Sequence, residues 1–118
     1  METQKSAIGL DGNIAALLGW IIGIIALVLI FIEKENKFVR FHAIQAVIYH
    51  VSIFVVYFIF MILVGILSYV SSFFAILYLF GFLIWLAWLG GMIFGAVKAY
   101  QGQQFKFPII GDLAEKWA

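Results

Sequence analysis

Gly12 to Ile32 reads GNIAALLGWIIGIIALVLIFI, an apolar run without a single charged side chain. The hydrocarbon core of a bilayer is about 30 Å thick and is crossed by about 20 mainly apolar residues in a helix. The run therefore predicts a first transmembrane helix over about 12–32. Two further segments meet the same condition. They are AIQAVIYHVSIFVVYFIFMILVGIL, about 43–67, and FFAILYLFGFLIWLAWLGGMIFGAV, about 73–97, separated by the turn SYVSS. Aromatic and β-branched residues are abundant. Strands of a membrane barrel are only about 10 residues long and alternate polar with apolar, which none of these runs does. The expected fold is an all-α integral membrane protein, a single polytopic domain over 1–118 with three spans.

Composition leads to the same class. Of 118 residues, 66% are hydrophobic and 11% charged, and the formal net charge is +1. A water-soluble domain of this size keeps too much surface to hide that much apolar matter. The balanced charge offers no basic stripe for phosphates, so no nucleic-acid partner is expected. Cysteine is absent, which removes disulfides, thiolate catalysis and Cys-based metal sites. The opening METQKSAIGLDGN lacks a cationic region, and the run after it is too long for a secretory signal, so the first apolar segment is expected to remain in the mature protein.

Three spans would put the first loop and the C-terminal tail on one side. That side holds Lys34, Lys37, Arg40, Lys98, Lys106 and Lys116, against Lys5 alone on the other. Positive charge favours the cytoplasm. The expected orientation in a prokaryotic plasma membrane is thus N-terminus outside, elbow and C-terminus inside.

The elbow, EKENKFVRFHAIQ over 33–45, gathers much of the polar chemistry. Asn36 suits an N-cap for a helix starting at Lys37. Glu33, Lys34 and Glu35 read as a solvated turn, while Lys37 and Arg40 are placed to reach lipid phosphates. Deeper in, His42, Gln45, Tyr49 and Ser52 recur at steps of three and four and form one stripe of the helix, with His50 about 80° from His42. Polar groups entering a bilayer must find partners. The stripe therefore reads as a contact fixing helix register, or as a hydrated vestibule. Two histidines eight residues apart, without a nearby carboxylate, fall short of a zinc ligand set. No nucleophile and base, carboxylate pair or phosphate loop is apparent, so neither catalysis, metal nor cofactor is expected.

Helices in lipid associate through close backbone approach. Gly12, Ala16, Gly19, Gly23 and Ala26 make one small-residue ladder in the first span; Ala87, Gly91, Gly95 and Ala99 make another in the third. These predict close packing of those spans or a homo-oligomeric contact. Trp20, Trp85 and Trp88, near mid-span, read as packing residues. In the tail, Gly102 follows the third span as a helix C-cap would. After Pro108, Ile109, Leu113 and Trp117 recur every fourth residue, predicting a short amphipathic interfacial helix. Pro108, Ile109 and Ile110 are placed to cover Phe38 and Phe41.

Two stretches carry a family resemblance. FVRFHAIQAV, with Phe38, Arg40, Phe41, His42, Gln45 and Ala46, and YQGQQFKFPIIGDLAEK, with Gly102, Pro108, Ile110 and Gly111, resemble a family of small prokaryotic membrane proteins of unassigned function. That family is grouped with the twenty-kilodalton Tic subunit of the chloroplast inner-envelope protein-import machinery. The resemblance implies a translocation or membrane-organising component working in an oligomer or larger complex, with a translocating polypeptide as a partner. The Tic relatives have four spans, where this chain offers three. The rival expectations are a small solute or ion conduit and a structural accessory subunit.

Overall fold

The run Gly12–Ile32 does not form one helix. A computed structural model of the protein describes residues 5–118, and of the opening stretch weighed as a secretory signal, residues 1–4 lie outside the described residues. Helix α1 covers Gly12–Ile21 and α2 covers Gly23–Ile32. Between them Ile22 takes an extended conformation, φ −117° and ψ 99°. The chain reverses there. A Cβ built on Gly19 would touch the Cα of Ala26 at 3.5 Å and Cδ1 of Leu29 at 3.7 Å, distances that a continuous helix would not allow between residues seven and ten apart. At the open end the Ala7 amide donates to the Glu33 carboxylate and the Asn36 amide side chain to the Lys5 carbonyl (3.5 Å). The expected first span is instead a helical hairpin that enters and leaves at one end of the molecule.

Each arm has 10 residues, or about 15 Å of helix, half the thickness of a hydrocarbon core. Two helices are long and apolar enough to cross a membrane. Helix α3, Lys37–Val70, has 34 residues; a 3-10 turn over Ser72–Leu77 leads into α4, Tyr78–Tyr100, and together these make 29. The single helix expected over 12–32 is corrected to a hairpin of two short apolar helices, beside two helices of spanning length. Hydropathy could not separate one helix from two, because both arms of the hairpin are as apolar as a span.

The ends of α3 are set locally. Asn36 caps it as expected, its side chain accepting from the Val39 amide at 3.2 Å. Ser71 ends the helix in an extended conformation and caps the following turn through the Phe73 amide at 3.3 Å. Helix α4 ends as its glycine predicts: Gly102 has φ 76°, and the amides of Gly102 and Gln103 bond back to the carbonyls of Ala99 and Lys98, both at 3.0 Å.

Helices α1 and α2 fill the space beside the first half of α3 and the last half of α4, giving a body of 55 × 23 × 22 Å. The main core cluster, with Ala15, Ala16, Trp20, Ala26, Leu29, Val39, Ala43, Ala46, Ala96 and Ala99, lies at this end, while Val64 is buried in the other half of α3. All seven Lys and Arg residues, Lys5 included, lie there too. The placement of Lys5 opposite the elbow is thereby corrected, and the charge asymmetry becomes complete. The tail runs extended over residues 103–107 and ends in α5, Ile110–Trp117.

Helix α5 is amphipathic, but its division of faces differs from the stripe that the spacing gave. Gly111 and Ala114 are buried against α3, where Ala114 packs on Phe41 and Ile44. The bulky stripe points out: Ile109 is 77% and Trp117 54% exposed. The elbow and tail do pack together, through Phe107, Ile110 and Ala114 rather than through Ile109.

Candidate functional site

The polar stripe of α3 faces the other helices and the tail. Indole nitrogens only donate, so the contact of Trp20 Nε1 with His42 Nδ1 at 3.0 Å requires that ring nitrogen to be bare. His42 is therefore the Nε2–H tautomer and donates to the Gln103 carbonyl at 2.8 Å. Three residues on, Gln45 is fully buried and uses both ends of its amide. Nε2 donates to the Phe105 carbonyl and Oε1 accepts from the Phe107 amide, each at 2.9 Å. The side chain thus pairs with the extended tail as a neighbouring strand would. Tyr49 donates to the Trp88 carbonyl of α4 at 2.7 Å. Ser52 is half-buried and takes no part in this set among the described residues.

A second tryptophan–histidine pair sits deeper. Trp88 Nε1 donates to His50 Nδ1 at 3.0 Å, and His50 Nε2 donates to the Trp20 carbonyl at 2.9 Å. That carbonyl lies in the last turn of α1, where the break at Ile22 removes its helical donor. His50 therefore caps a helix end inside the apolar interior, which is how irregular backbone is sustained at such depth. The two pairs join end to end, from Trp88 through His50, Trp20 and His42 to Gln103.

The small residues make room for these groups. A Cβ on Gly95 would sit 2.6 Å from the Trp20 ring, and one on Gly91 would overlap the Tyr49 hydroxyl. Gly111 allows the tail to close over Gln45, whose Oε1 would be 2.9 Å from its Cβ. Of the expected ladders, Gly12, Ala16, Gly19 and Ala26 are buried, but Gly23 lies past the break and is exposed, as is Ala87. The first ladder is therefore not one face of one helix. Its members pack α1 against α2 within the hairpin and against α3 and α4.

At the elbow the structure departs from the solvated turn expected of Glu33. This carboxylate is 3% exposed and accepts from the amides of Ala7 and, at 3.1 Å, Asn36. Arg40 Nη1 donates to the carbonyls of Ile30 (2.6 Å) and Glu33 (3.1 Å), closing the C-terminal end of α2. Lys37 is exposed. Across the tail, Lys106 pairs with Glu115 at 2.7 Å, and that hydrogen bond holds its ammonium above the ordinary lysine range. Sequence reading had missed the roles of Trp20, Trp88, His50 and Glu33. The available signal was two Trp residues at the depths of two His residues, in a medium where each needs a partner.

Below the hairpin tip only α3 and α4 continue. A crevice of about 450 Å³ opens there between Ile21, Gly23, His50, Tyr57, Trp85 and Trp88. Trp85, midway along the Ser72–Tyr100 stretch, is 47% exposed. Among the described residues no three or more His, Cys, Asp or Glu side chains converge as a metal site would need.

Residues 5–114 match the magnetosome magnetite crystal formation protein family, and the chain belongs to it. Its relatives include two UPF0132 membrane proteins of Methanocaldococcus jannaschii. One is 35% identical, covering 97% of this chain and 94% of the relative; the other is 38% identical, covering 94% and 73%. A UPF0132 membrane protein of Archaeoglobus fulgidus is 31% identical over 88% of this chain and 92% of its own. No solved structure matches the chain.

Proposed function

We propose, from membership of that family of small membrane proteins, that the chain is an assembly-forming component of a prokaryotic membrane. Its inner half seats it at one face of the bilayer. Its outer half, two helices wide, associates with further copies or with another membrane subunit. The observation that carries this reading is Trp85. Tryptophan prefers the membrane–water interface, yet this one stands half-exposed at mid-depth on the wall of an open crevice, where a neighbouring helix would bury it. The polar stripe, by contrast, is spent on internal hydrogen bonds, which supports a fastening role over a wet vestibule.

The test is the mass of the particle extracted in mild detergent, with and without Trp85→Ala. Defined oligomers or a stoichiometric complex, reduced to single chains by the substitution, support the reading. A monodisperse single chain that is unchanged by W85A opposes it. A solute or ion conduit would instead give flux in proteoliposomes.

A second reading, the Tic-like one of polypeptide translocation, draws on one feature. His42 and Gln45 hold the extended tail by main-chain atoms alone, a grip indifferent to side-chain sequence. A photocrosslinker beside Gln45 that captures unfolded polypeptide in place of the tail would favour it. The family's description concerns magnetite crystal formation; in this chain a membrane-organising role is the form such a contribution would take.

A further inference from the structure

The end of α2 meets α3 in an open groove of about 460 Å³, walled by Ile30 and Phe31 on one side and by Lys34 and Arg40 on the other. The two walls have different chemistry at different depths. Ile30 and Phe31 lie in the last turn of α2, which ends at Ile32, and Phe31 is 69% exposed. Lys34 and Arg40 stand at the charged end, where the polar heads of lipids lie.

Arg40 is positioned by its contacts. Nη1 is fixed on the carbonyls of Ile30 and Glu33, and among the described residues Nη2 and Nε of the donor fork are left for another acceptor. Of the two acids that flank Lys34, Glu33 is occupied by the amides of Ala7 and Asn36, and Glu35 is exposed and outside the lining of this groove. The groove therefore presents two cations above an apolar floor, with no acid among the described residues that line it.

We propose that this groove holds one anionic phospholipid, its phosphate between Lys34 and Arg40 and an acyl chain along Ile30 and Phe31. Charge complementarity selects the headgroup, and the exposed Phe31 flank selects an occupant with a hydrocarbon tail over a free anion. The elbow thereby reads lipid with Lys34 and Arg40, where the spacing alone had pointed to Lys37 and Arg40. By closing the end of α2, the same arginine ties lipid occupancy to the seating of the hairpin.

The experiment uses the full chain in vesicles of phosphatidylcholine with phosphatidylglycerol, extracted gently and weighed by native mass spectrometry. One phosphatidylglycerol should be retained per chain. Lys34→Gln, a change at an exposed loop residue, should lower that retention about fivefold, the effect of one lysine near a lipid surface. Lys116→Gln, at the same end of the molecule but outside the lining of the groove, should leave it unchanged. Equal retention in K34Q and K116Q would overturn the proposal, as would equal retention of phosphatidylcholine. Competition by soluble glycerophosphate as strong as by phosphatidylglycerol would also overturn it, by showing a free-anion site with no use for the acyl chain. Should K34Q fold poorly, Phe31→Ser supplies the same test from the apolar wall, lowering retention of phosphatidylglycerol without altering charge.

Discussion

The amide of Ala7 and the carboxylate of Glu33 are joined by a hydrogen bond across 26 residues that include an apolar run long enough to cross a bilayer. The bond brings the two ends of that run together. It turns the first expected span into a hairpin and brings Lys5 to the side of every other basic residue. The hairpin also explains why the main core cluster occupies one half of the molecule.

The fit of Trp20 against Gly95 predicts a sharp contrast between two nearby glycines. Gly95→Ala would place a methyl 2.6 Å from the indole and should destabilise the fold by about 1–3 kcal/mol. Gly90 has nothing within 4 Å of its Cβ position, so Gly90→Ala should be neutral or stabilising by up to about 1 kcal/mol through helix propensity. Thermal unfolding in detergent, followed by tryptophan fluorescence, distinguishes them. Equal effects would mean that Trp20 is not seated on α4.

Gln45→Leu removes both bonds to the tail and leaves the Phe105 carbonyl and Phe107 amide to find other partners. An unpaired buried polar group costs about 1–3 kcal/mol, so residues 103–107 should lift from α3. Hydrogen exchange at Phe107 should rise by at least tenfold while exchange in the middle of α3 is unchanged. Gln45→Glu loses only the bond to the Phe105 carbonyl and keeps an acceptor for the Phe107 amide, so it should raise exchange at Phe107 less than Gln45→Leu does. If Phe107 stays protected in both variants, the tail is held by packing alone.

Ile109 carries φ 67° and ψ −53°, with the Ile110 amide bonded to the Pro108 carbonyl at 2.7 Å. This is a γ-turn in its strained, positive-φ form, and a β-branched residue there costs about 1–3 kcal/mol. Ile109→Gly should relieve part of that strain and slow proteolysis of the tail. Loss of membrane association in the same variant would reveal a compensating role, with the exposed side chain of Ile109 anchoring α5 in lipid.

The class of the fold was legible from Gly12–Ile32, Ala43–Leu67 and Phe73–Val97, because hydropathy reports the surrounding solvent directly. So were the caps at Asn36 and Gly102, which depend on local chemistry. The hairpin was not. Ile22 carries no mark of a reversal, and the residues that stabilise it, Glu33, Asn36 and His50, act through contacts 26 to 31 residues away. The stripe His42, Gln45 and Tyr49 was visible as a face needing partners. Three of its partners, however, are backbone groups of the tail, which no side-chain pattern can advertise. Ser52 shared the periodicity but lies deeper than the tail reaches, so spacing alone overextended the site.

The central claim is the re-entrant path of Gly12–Ile32, and single cysteines test it most directly in a chain that has none of its own. Substitutions at Ile8, Glu35 and Tyr69, all exposed, would be labelled with a membrane-impermeant maleimide in sealed vesicles of known orientation. The account predicts that positions 8 and 35 react from one side and position 69 from the other. Labelling of position 8 together with position 69, opposite position 35, would restore a three-span path and contradict it.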